Sequence, residues 1–197
     1  MNPTLVKELK RFALFILVVV VWSGVYFSIN ALTAGREPAV LSGALESHIP
    51  YVSWFVFFYF STYLLGVMPY FLVRDLDQFK RVVFGALLII FISAVIFLIY
   101  PVTHPRDFLV GNGFLSSWVH LLHKVDQPFN CFPSMHISMA SLAALFCAQQ
   151  GGLVRKLFFA TWIVLIALST LFIKQHYLVD IVSGAFLAVV VYYFVRK

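Results

Sequence analysis

Long apolar stretches separated by short polar segments recur along the whole chain of 197 residues. Six of these stretches approach the roughly 20 residues that a helix needs to cross a lipid bilayer. They lie at residues 12–32, 51–73, 82–100, 133–148, 157–173 and 177–195. No segment between them reads as a soluble domain. The pattern therefore predicts one all-α integral membrane domain, residues 1–197, with six transmembrane helices.

The longest segment between the apolar stretches, residues 101–132, has a helical pattern of its own. Apolar side chains recur at helical spacing from Phe114 onward, which predicts an amphipathic helix at the outer membrane surface. Asn112 and Gly113 are candidates for its start, and Pro128 should end it because proline cannot continue a helix. We expect this helix to brace the loop or to roof a site beneath it.

Composition and charge set the environment and the orientation of the chain. It is 62% hydrophobic and only 11% charged, which excludes a water-soluble globule. Ten Lys and Arg residues fall on one side of the predicted membrane and four on the other. The side with ten carries both termini, and the positive-inside rule makes it cytoplasmic. The net charge of +6 therefore needs no nucleic-acid partner.

The histidines are distributed with the opposite bias. All six lie in external loops or at the external ends of the predicted spans. We therefore expect a multi-pass protein of the cell inner (plasma) membrane whose active site faces the periplasm or exterior. The expected partner at this stage is the lipid bilayer, and no obligate protein partner is evident.

An acidic residue inside the last apolar stretch is the first sign of function. Asp180 is one of only eight acidic residues, and an ionisable group in a membrane span is a functional hypothesis by default. His176 lies four residues earlier, so the carboxylate can accept a hydrogen bond from one ring nitrogen and leave the other lone pair outward. A carboxylate in this position would orient the imidazole as a nucleophile or base. A structural histidine–aspartate bond explains the pair equally well.

The segment CFPSMHIS, residues 131–138, changes that balance. It predicts a helix capped by Ser134, with free backbone N–H groups and the positive helix end directed outward, where a phosphate can bind. His136 in the first turn is placed to give a proton to a leaving oxygen. Lys174 and Arg106 can supply positive charge. An ordinary cap beside an incidental histidine becomes less probable because both motifs face the same side.

These residues resemble motifs of the type-2 phosphatidic acid phosphatase superfamily of membrane lipid phosphatases and phosphotransferases. The family's Pro-Ser-Gly-His motif is similar to residues 133–136, with Met135 in place of glycine. Its motif of Ser-Arg, five residues, His, three residues and Asp is similar to residues 169–180, with Thr170 in place of arginine. The family's first motif, Lys, six residues and Arg-Pro, is absent. The segments YPVTHPRDF and DQPFNCFPSMH resemble the branch that includes inositol phosphorylceramide synthases.

The resemblance implies a mechanism and a set of site residues. His176 would be the nucleophile that forms a phosphohistidine, Asp180 its orienting acid, and His136 the general acid for the leaving group. The substrate-binding residues would be Ser134, Lys174 and Arg106. No metal and no cofactor is implied, in agreement with the scattered external carboxylates Glu37, Glu46, Asp107 and Asp126.

The expected function is hydrolysis of a phosphate monoester or pyrophosphate on a membrane lipid. Phosphatidic acid, phosphatidylglycerol phosphate and polyprenyl pyrophosphate are the candidate substrates. Transfer from the phosphohistidine to an alcohol, such as inositol or a lipid, would instead make the chain a phosphotransferase. A non-catalytic lipid-binding or transport protein is a further alternative, although retention of His136, His176 and Asp180 together argues against it.

Overall fold

Helices account for nearly all of the regular structure in the computed structural model. The structure describes residues 2–41, 46–106, 111, 113–149 and 151–197. The helices are α1 (Pro3–Thr33), α2 (Val56–Leu72), α3 (Leu76–Ile99), α4 (Phe114–Val125), α5 (Met135–Ala148), α6 (Leu153–Phe172) and α7 (Leu178–Val195). Short 3-10 helices cover Glu46–His48 and Ser53–Phe55. Strands β1 (Ala39–Val40) and β2 (Val102–Thr103) form a small parallel pair that the sequence pattern did not predict.

Five helical segments of the described chain are long and apolar enough to cross a membrane. They are Pro3–Thr33, Ser53–Leu72, Leu76–Ile99, Leu153–Phe172 and Leu178–Val195. This confirms the prediction of an all-α membrane protein in a coarser form, because α5 has only 14 residues. Helices α1, α3 and α6 also begin earlier than the apolar runs suggest. Side chains of Asn2 and Asp75 cap α1 and α3 and start them within polar sequence.

Helix α5 is short and lies at the centre of the bundle. It packs against α2, α3, α6 and α7, and 11 of its 14 residues are buried. At about 1.5 Å per residue it extends about 21 Å, less than the roughly 30 Å of a bilayer core. Its alanines and serines let neighbouring helices approach closely. The start of α5, with its histidine, is therefore enclosed by other helices.

The starts of α5 and α7 meet at a glycine. A β-carbon added at Gly184 would lie 2.5 Å from the backbone oxygen of Ser134 and 3.2 Å from Oγ of Ser138. Next to this contact, the backbone N–H of Ser134 donates to the carbonyl oxygen of Asp180 at 3.0 Å. The two sequence motifs therefore lie side by side at one end of the bundle.

Helix α4 is the amphipathic helix predicted for the long loop. Gly113 is its N-cap and Asp126 its C-cap, two residues before Pro128, as predicted. Asn112, the other candidate for its start, lies outside the described residues, as does Asp107. Its buried residues are Ser116, Val119 and Leu122. Its exposed apolar residues are Phe114, Trp118, Leu121 and Val125. An apolar stripe on the outer face is typical of a helix in contact with lipid.

A buried arginine fastens the opposite end of the bundle. The guanidinium of Arg11 lies 5.0 Å from the ring centre of Tyr70 and 5.1 Å from that of Phe79. It donates to the carbonyl oxygen of Val73 at 3.1 Å and to that of Tyr70, and it pairs with Glu8 at 2.7 Å. These carbonyls belong to the end of α2, where helix acceptors lack intrahelical partners. Arg11 thus joins α1 to the end of α2.

We expect Gly184→Ala to destabilise the protein, because the added methyl group would overlap the carbonyl oxygen of Ser134 and force α5 and α7 apart. The expected cost is about 1–3 kcal/mol, measured as a lower melting temperature in detergent. Gly24→Ala in α1 is the matched control, since nothing lies within 4 Å of a β-carbon there and alanine favours helix by about 0.5–1 kcal/mol. Equal melting temperatures for the two variants would contradict the close approach.

Candidate active site

His176 and Asp180 are in contact, through a geometry different from the one that their spacing suggested. His176 precedes α7 rather than lying on it, and Asp180 is in the first turn. Oδ2 of Asp180 is 3.3 Å from Nδ1 of His176 and accepts a hydrogen bond from the backbone N–H of Tyr177 at 2.9 Å. A carboxylate at Nδ1 holds a proton there and leaves the lone pair of Nε2 free. This is the orientation that a nucleophilic imidazole requires.

The turn between α6 and α7 positions His176. The carbonyl oxygen of Thr170 accepts hydrogen bonds from the backbone N–H groups of Gln175, at 2.8 Å, and His176, at 3.3 Å. Lys174 just before them has a φ of 57°, in the left-handed region that commonly ends helices. Thr170, which stands where the related motif has arginine, therefore acts here through its backbone.

His136 faces His176 across the gap between α5 and α7. Its Nδ1 lies 3.4 Å from Nε2 of His176, and both side chains are buried. Ser134 caps α5, as predicted, by accepting a hydrogen bond from the N–H of Ile137 at 3.3 Å. A phosphoryl group between the rings would have the free Nε2 on one side and its leaving oxygen beside His136 on the other. That is the in-line arrangement of phosphoryl transfer, and the rings must part to admit it.

The structure places the ammonium group of Lys174 on the segment that precedes α2. Nζ donates to the carbonyl oxygens of Ile49, at 2.5 Å, and Glu46, at 3.1 Å. Burial lowers the pKa of Lys174, and the nearby Glu46 raises it. The lysine thus secures the turn that carries His176, and its charge is held by these two carbonyls.

Arg106 ties the end of α4 and the residue after it to the turn that carries His176. It donates to the carbonyl oxygens of Asp126, at 2.6 Å, and His123, at 2.8 Å, and to Oε1 of Gln175, at 3.3 Å. Its Nε and the Nε2 of Gln175 have no hydrogen-bond partner among the described residues. Burial lowers the pKa of Arg106, and the Asp126 carboxylate raises it. The second of these donors belongs to the residue that directly precedes His176.

Three of the remaining histidines have surroundings different from those of the pair. His48 and His120 are exposed. Nδ1 of His104 is 2.9 Å from the carbonyl oxygen of Pro105, and the ring stacks on Tyr177 at 4.5 Å. Burial lowers the pKa of His104, which favours the neutral ring. Within the part of the chain that the structure describes, no three His, Cys, Asp or Glu side chains form a group that could hold a metal ion.

Three polar residues that the sequence analysis did not place in the site surround the far side of His136. Its Nε2 is 2.9 Å from the hydroxyl oxygen of Tyr59. Tyr59 donates to Oδ2 of Asp126 at 3.1 Å, and Tyr26 donates to Oδ1 at 2.5 Å. The sequence offered one signal, because Asp126 precedes His136 by ten residues within DQPFNCFPSMH. Nothing in the apolar pattern distinguishes Tyr59 from the other aromatic residues of α2.

Two largely apolar cavities reach His136. One, of about 180 Å³, lies between α1, α2 and α4 and is also bounded by Asp126 and Trp118. The other, of about 230 Å³, extends from His136 between α1, α2, α3 and α5 to Tyr70 and Phe79 near the opposite end. The histidine pair is therefore connected to spaces suited to hydrocarbon.

Comparison with known proteins places this chain in a family. The PAP2 superfamily matches residues 30–194. A segment of 69 residues is 33% identical to the inositol phosphorylceramide synthase catalytic subunit aur1 of Schizosaccharomyces pombe, and it covers 35% of this chain and 16% of that protein. The crystal structure of LpxE from Aquifex aeolicus superposes with a TM-score of 0.55 at 15% identity, over 86% of this chain and 92% of that one.

The family match and the superposition agree with the geometry in different ways. The match covers most of the chain, including both histidine motifs, helices α2–α6 and all but the last residue of α7. The superposition supports the helical arrangement alone, since its sequence identity is low. Together with the paired histidines at the starts of α5 and α7, these findings confirm the resemblance seen in the motifs. The chain belongs to the PAP2 superfamily of membrane lipid phosphatases and phosphotransferases.

Proposed function

We propose that this protein is a metal-independent lipid phosphatase that works through a phosphohistidine. The observation that carries the proposal is the approach of Nε2 of His176 to Nδ1 of His136, 3.4 Å apart, with Asp180 behind the first ring. The reaction axis runs between these two nitrogens. The substrates proposed are phosphatidic acid, phosphatidylglycerol phosphate or polyprenyl pyrophosphate, each an anionic head on an apolar tail.

The reaction proceeds in two steps. Nε2 of His176 attacks the phosphorus, the bond to the leaving oxygen breaks, and His136 gives that oxygen a proton from Nδ1. Water then attacks the phosphohistidine while His136 takes its proton, and the P–N bond breaks to release inorganic phosphate. Asp180 stabilises the positive charge on the ring of His176 after the attack.

The phosphoryl oxygens are bound at the start of α5. The hydroxyl of Ser134 and the amides of the first turn lie at a positive helix end. Arg106 contributes charge through its buried guanidinium, whose Nε lacks a partner in the described chain. Lys174 does not bind these oxygens directly, since its ammonium is held by the carbonyls of Glu46 and Ile49. It supports the site by securing the turn that carries His176.

Phosphotransfer is the second candidate function. The 69 residues similar to an inositol phosphorylceramide synthase catalytic subunit favour it. An alcohol bound where water would attack accepts the phosphoryl or head group from the same phosphohistidine. The two functions share every residue of the first step and differ only in what occupies the site in the second.

We also propose six transmembrane spans, with α5 counted among them, both termini in the cytoplasm and the site on the periplasmic or exterior side of the inner (plasma) membrane. The basic end of the bundle supports this orientation. Arg81 there donates to the carbonyl oxygen of Arg196 at 2.7 Å, and Arg11 is buried at the same end. A lipid then enters sideways through the cavity between α1, α2 and α4.

The orientation is tested by cysteine labelling in intact cells. We expect His120→Cys on α4 to react with a membrane-impermeant maleimide, and Lys156→Cys at the start of α6 to react only after permeabilisation. Both positions are exposed, whereas the native Cys131 and Cys147 are buried. Labelling with the reverse pattern would place the site in the cytoplasm.

The nucleophile is tested by phosphate release from the three lipids in detergent with a chelator present. We expect His176→Ala to lower turnover by about 10⁴-fold or more, because it removes the attacking nitrogen, while the melting temperature stays near that of the wild type. His120→Ala, the same change at an exposed position, should keep full activity. Phosphohistidine that forms without phosphate release, and turns over when inositol or a lipid alcohol is added, would favour the phosphotransferase. Turnover by His176→Ala would refute the mechanism.

The division of roles between the two histidines predicts a bell-shaped dependence of kcat/KM on pH. His176 must be neutral to attack, and His136 must carry a proton to donate. Activity should therefore fall at both acid and alkaline pH. A profile that is flat from about pH 5 to 9 would contradict general acid catalysis by His136.

A further inference from the structure

The ring of His136 is held on both sides by polar groups. On one side Nδ1 meets His176 at 3.4 Å, and on the other Nε2 meets the hydroxyl of Tyr59 at 2.9 Å. Tyr59 is completely buried, and its hydroxyl also reaches Oδ2 of Asp126 at 3.1 Å. A continuous line of hydrogen bonds thus runs from Asp126 through both histidines to Asp180.

The two oxygens of Asp126 determine the direction of these hydrogen bonds. A carboxylate can only accept, so Tyr59 and Tyr26 both donate to it. The Tyr59 hydroxyl has then used its single hydrogen, and its oxygen can only accept from His136. Nε2 of His136 therefore carries a hydrogen whichever ring holds the proton between Nδ1 of His136 and Nε2 of His176. The proton that moves in catalysis is confined to Nδ1.

Asp126 is itself held in place. Arg106 donates to its carbonyl oxygen at 2.6 Å and compensates its charge. The side-chain amide of Asn30 donates to the carbonyl oxygen of Gln127 at 2.8 Å, and that of Asn130 donates to the carbonyl oxygen of Tyr26 at 3.1 Å. The end of α1 and the segment after α4 are therefore joined around the carboxylate.

We propose that Tyr59 and Asp126 are positioning residues for the general acid His136, a second orienting relay opposite Asp180. The proposal rests on the proposed function, because it concerns the leaving-group proton of that reaction. The relay fixes the ring so that Nδ1 faces the reaction axis, and its carboxylate favours a positive ring while the leaving oxygen still needs a proton. Tyr59 transfers no proton, and its hydrogen stays with Asp126 throughout.

The relay is tested by comparing two substrates that differ in their need for an acid. The leaving alkoxide of phosphatidic acid needs a proton, whereas para-nitrophenolate leaves without one. We expect Tyr59→Phe and Asp126→Asn to lower kcat/KM on phosphatidic acid by about 10- to 100-fold, and on para-nitrophenyl phosphate by much less. Tyr192→Phe, which removes a hydroxyl from the far end of α7, should change neither rate.

The outcomes separate the relay from the reaction it serves. Equal losses on both substrates, with an unchanged melting temperature, would overturn the relay, while inactivity of His176→Ala on both would leave the phosphohistidine mechanism standing. If the wild type turned over neither substrate, the proposed function would fail. The relay would then be decided by the imidazole nitrogen NMR spectrum of the folded protein, which needs no turnover.

In that spectrum we expect Nε2 of His136 to carry its hydrogen on both sides of the titration of the ring. In Tyr59→Phe this preference should be lost. A bare Nε2 with the hydrogen on Nδ1 in the neutral wild-type ring would overturn the proposal. Because the wild type alone gives this result, the test stands even if both relay variants fail to fold.

Discussion

The close approach of two helix starts is the constraint on which the rest of the structure depends. Gly184 lets α7 come so near α5 that a β-carbon would meet the backbone of Ser134. Without that approach Nδ1 of His136 and Nε2 of His176 would not lie within hydrogen-bonding distance of each other. The motifs lie 40 residues apart in sequence, so no local propensity brings the rings together. A backbone contact between packed small residues does so.

Much of the fold follows from the apolar pattern, and the exceptions have physical causes. Five long helices and the amphipathic α4 lie where hydrophobic periodicity predicts them. The pattern placed helix starts too late at α1 and α3, because caps such as Asp75 act within polar sequence that hydropathy ignores. It also could not show that α5 is a short central helix, since an apolar run does not reveal whether lipid or protein surrounds it.

The site, like the fold, contains some features that the sequence predicts and others that it cannot show. His176 and Asp180 were found from a spacing and from the cost of a carboxylate in apolar sequence, and the structure brings them together. Lys174 illustrates a limit of such reasoning. Its place two residues before His176 suggested a positive charge for the substrate, whereas its ammonium donates to two carbonyl oxygens. Tyr59 could not be found at all. Its contact with His136 crosses between α2 and α5, and an aromatic residue in a membrane helix needs no functional explanation.

Arg11 restricts where α1 and α2 can separate. It clamps α1 to the end of α2 at the end remote from the histidines, so these two helices can separate more easily at the far end than at this one. At that far end Tyr26 joins α1 to Asp126. Any outward movement of α1 at that end would therefore be transmitted to the carboxylate that also accepts from Tyr59. The width of the cavity between α1, α2 and α4 and the position of the Tyr59 hydroxyl are therefore coupled through one side chain, that of Asp126.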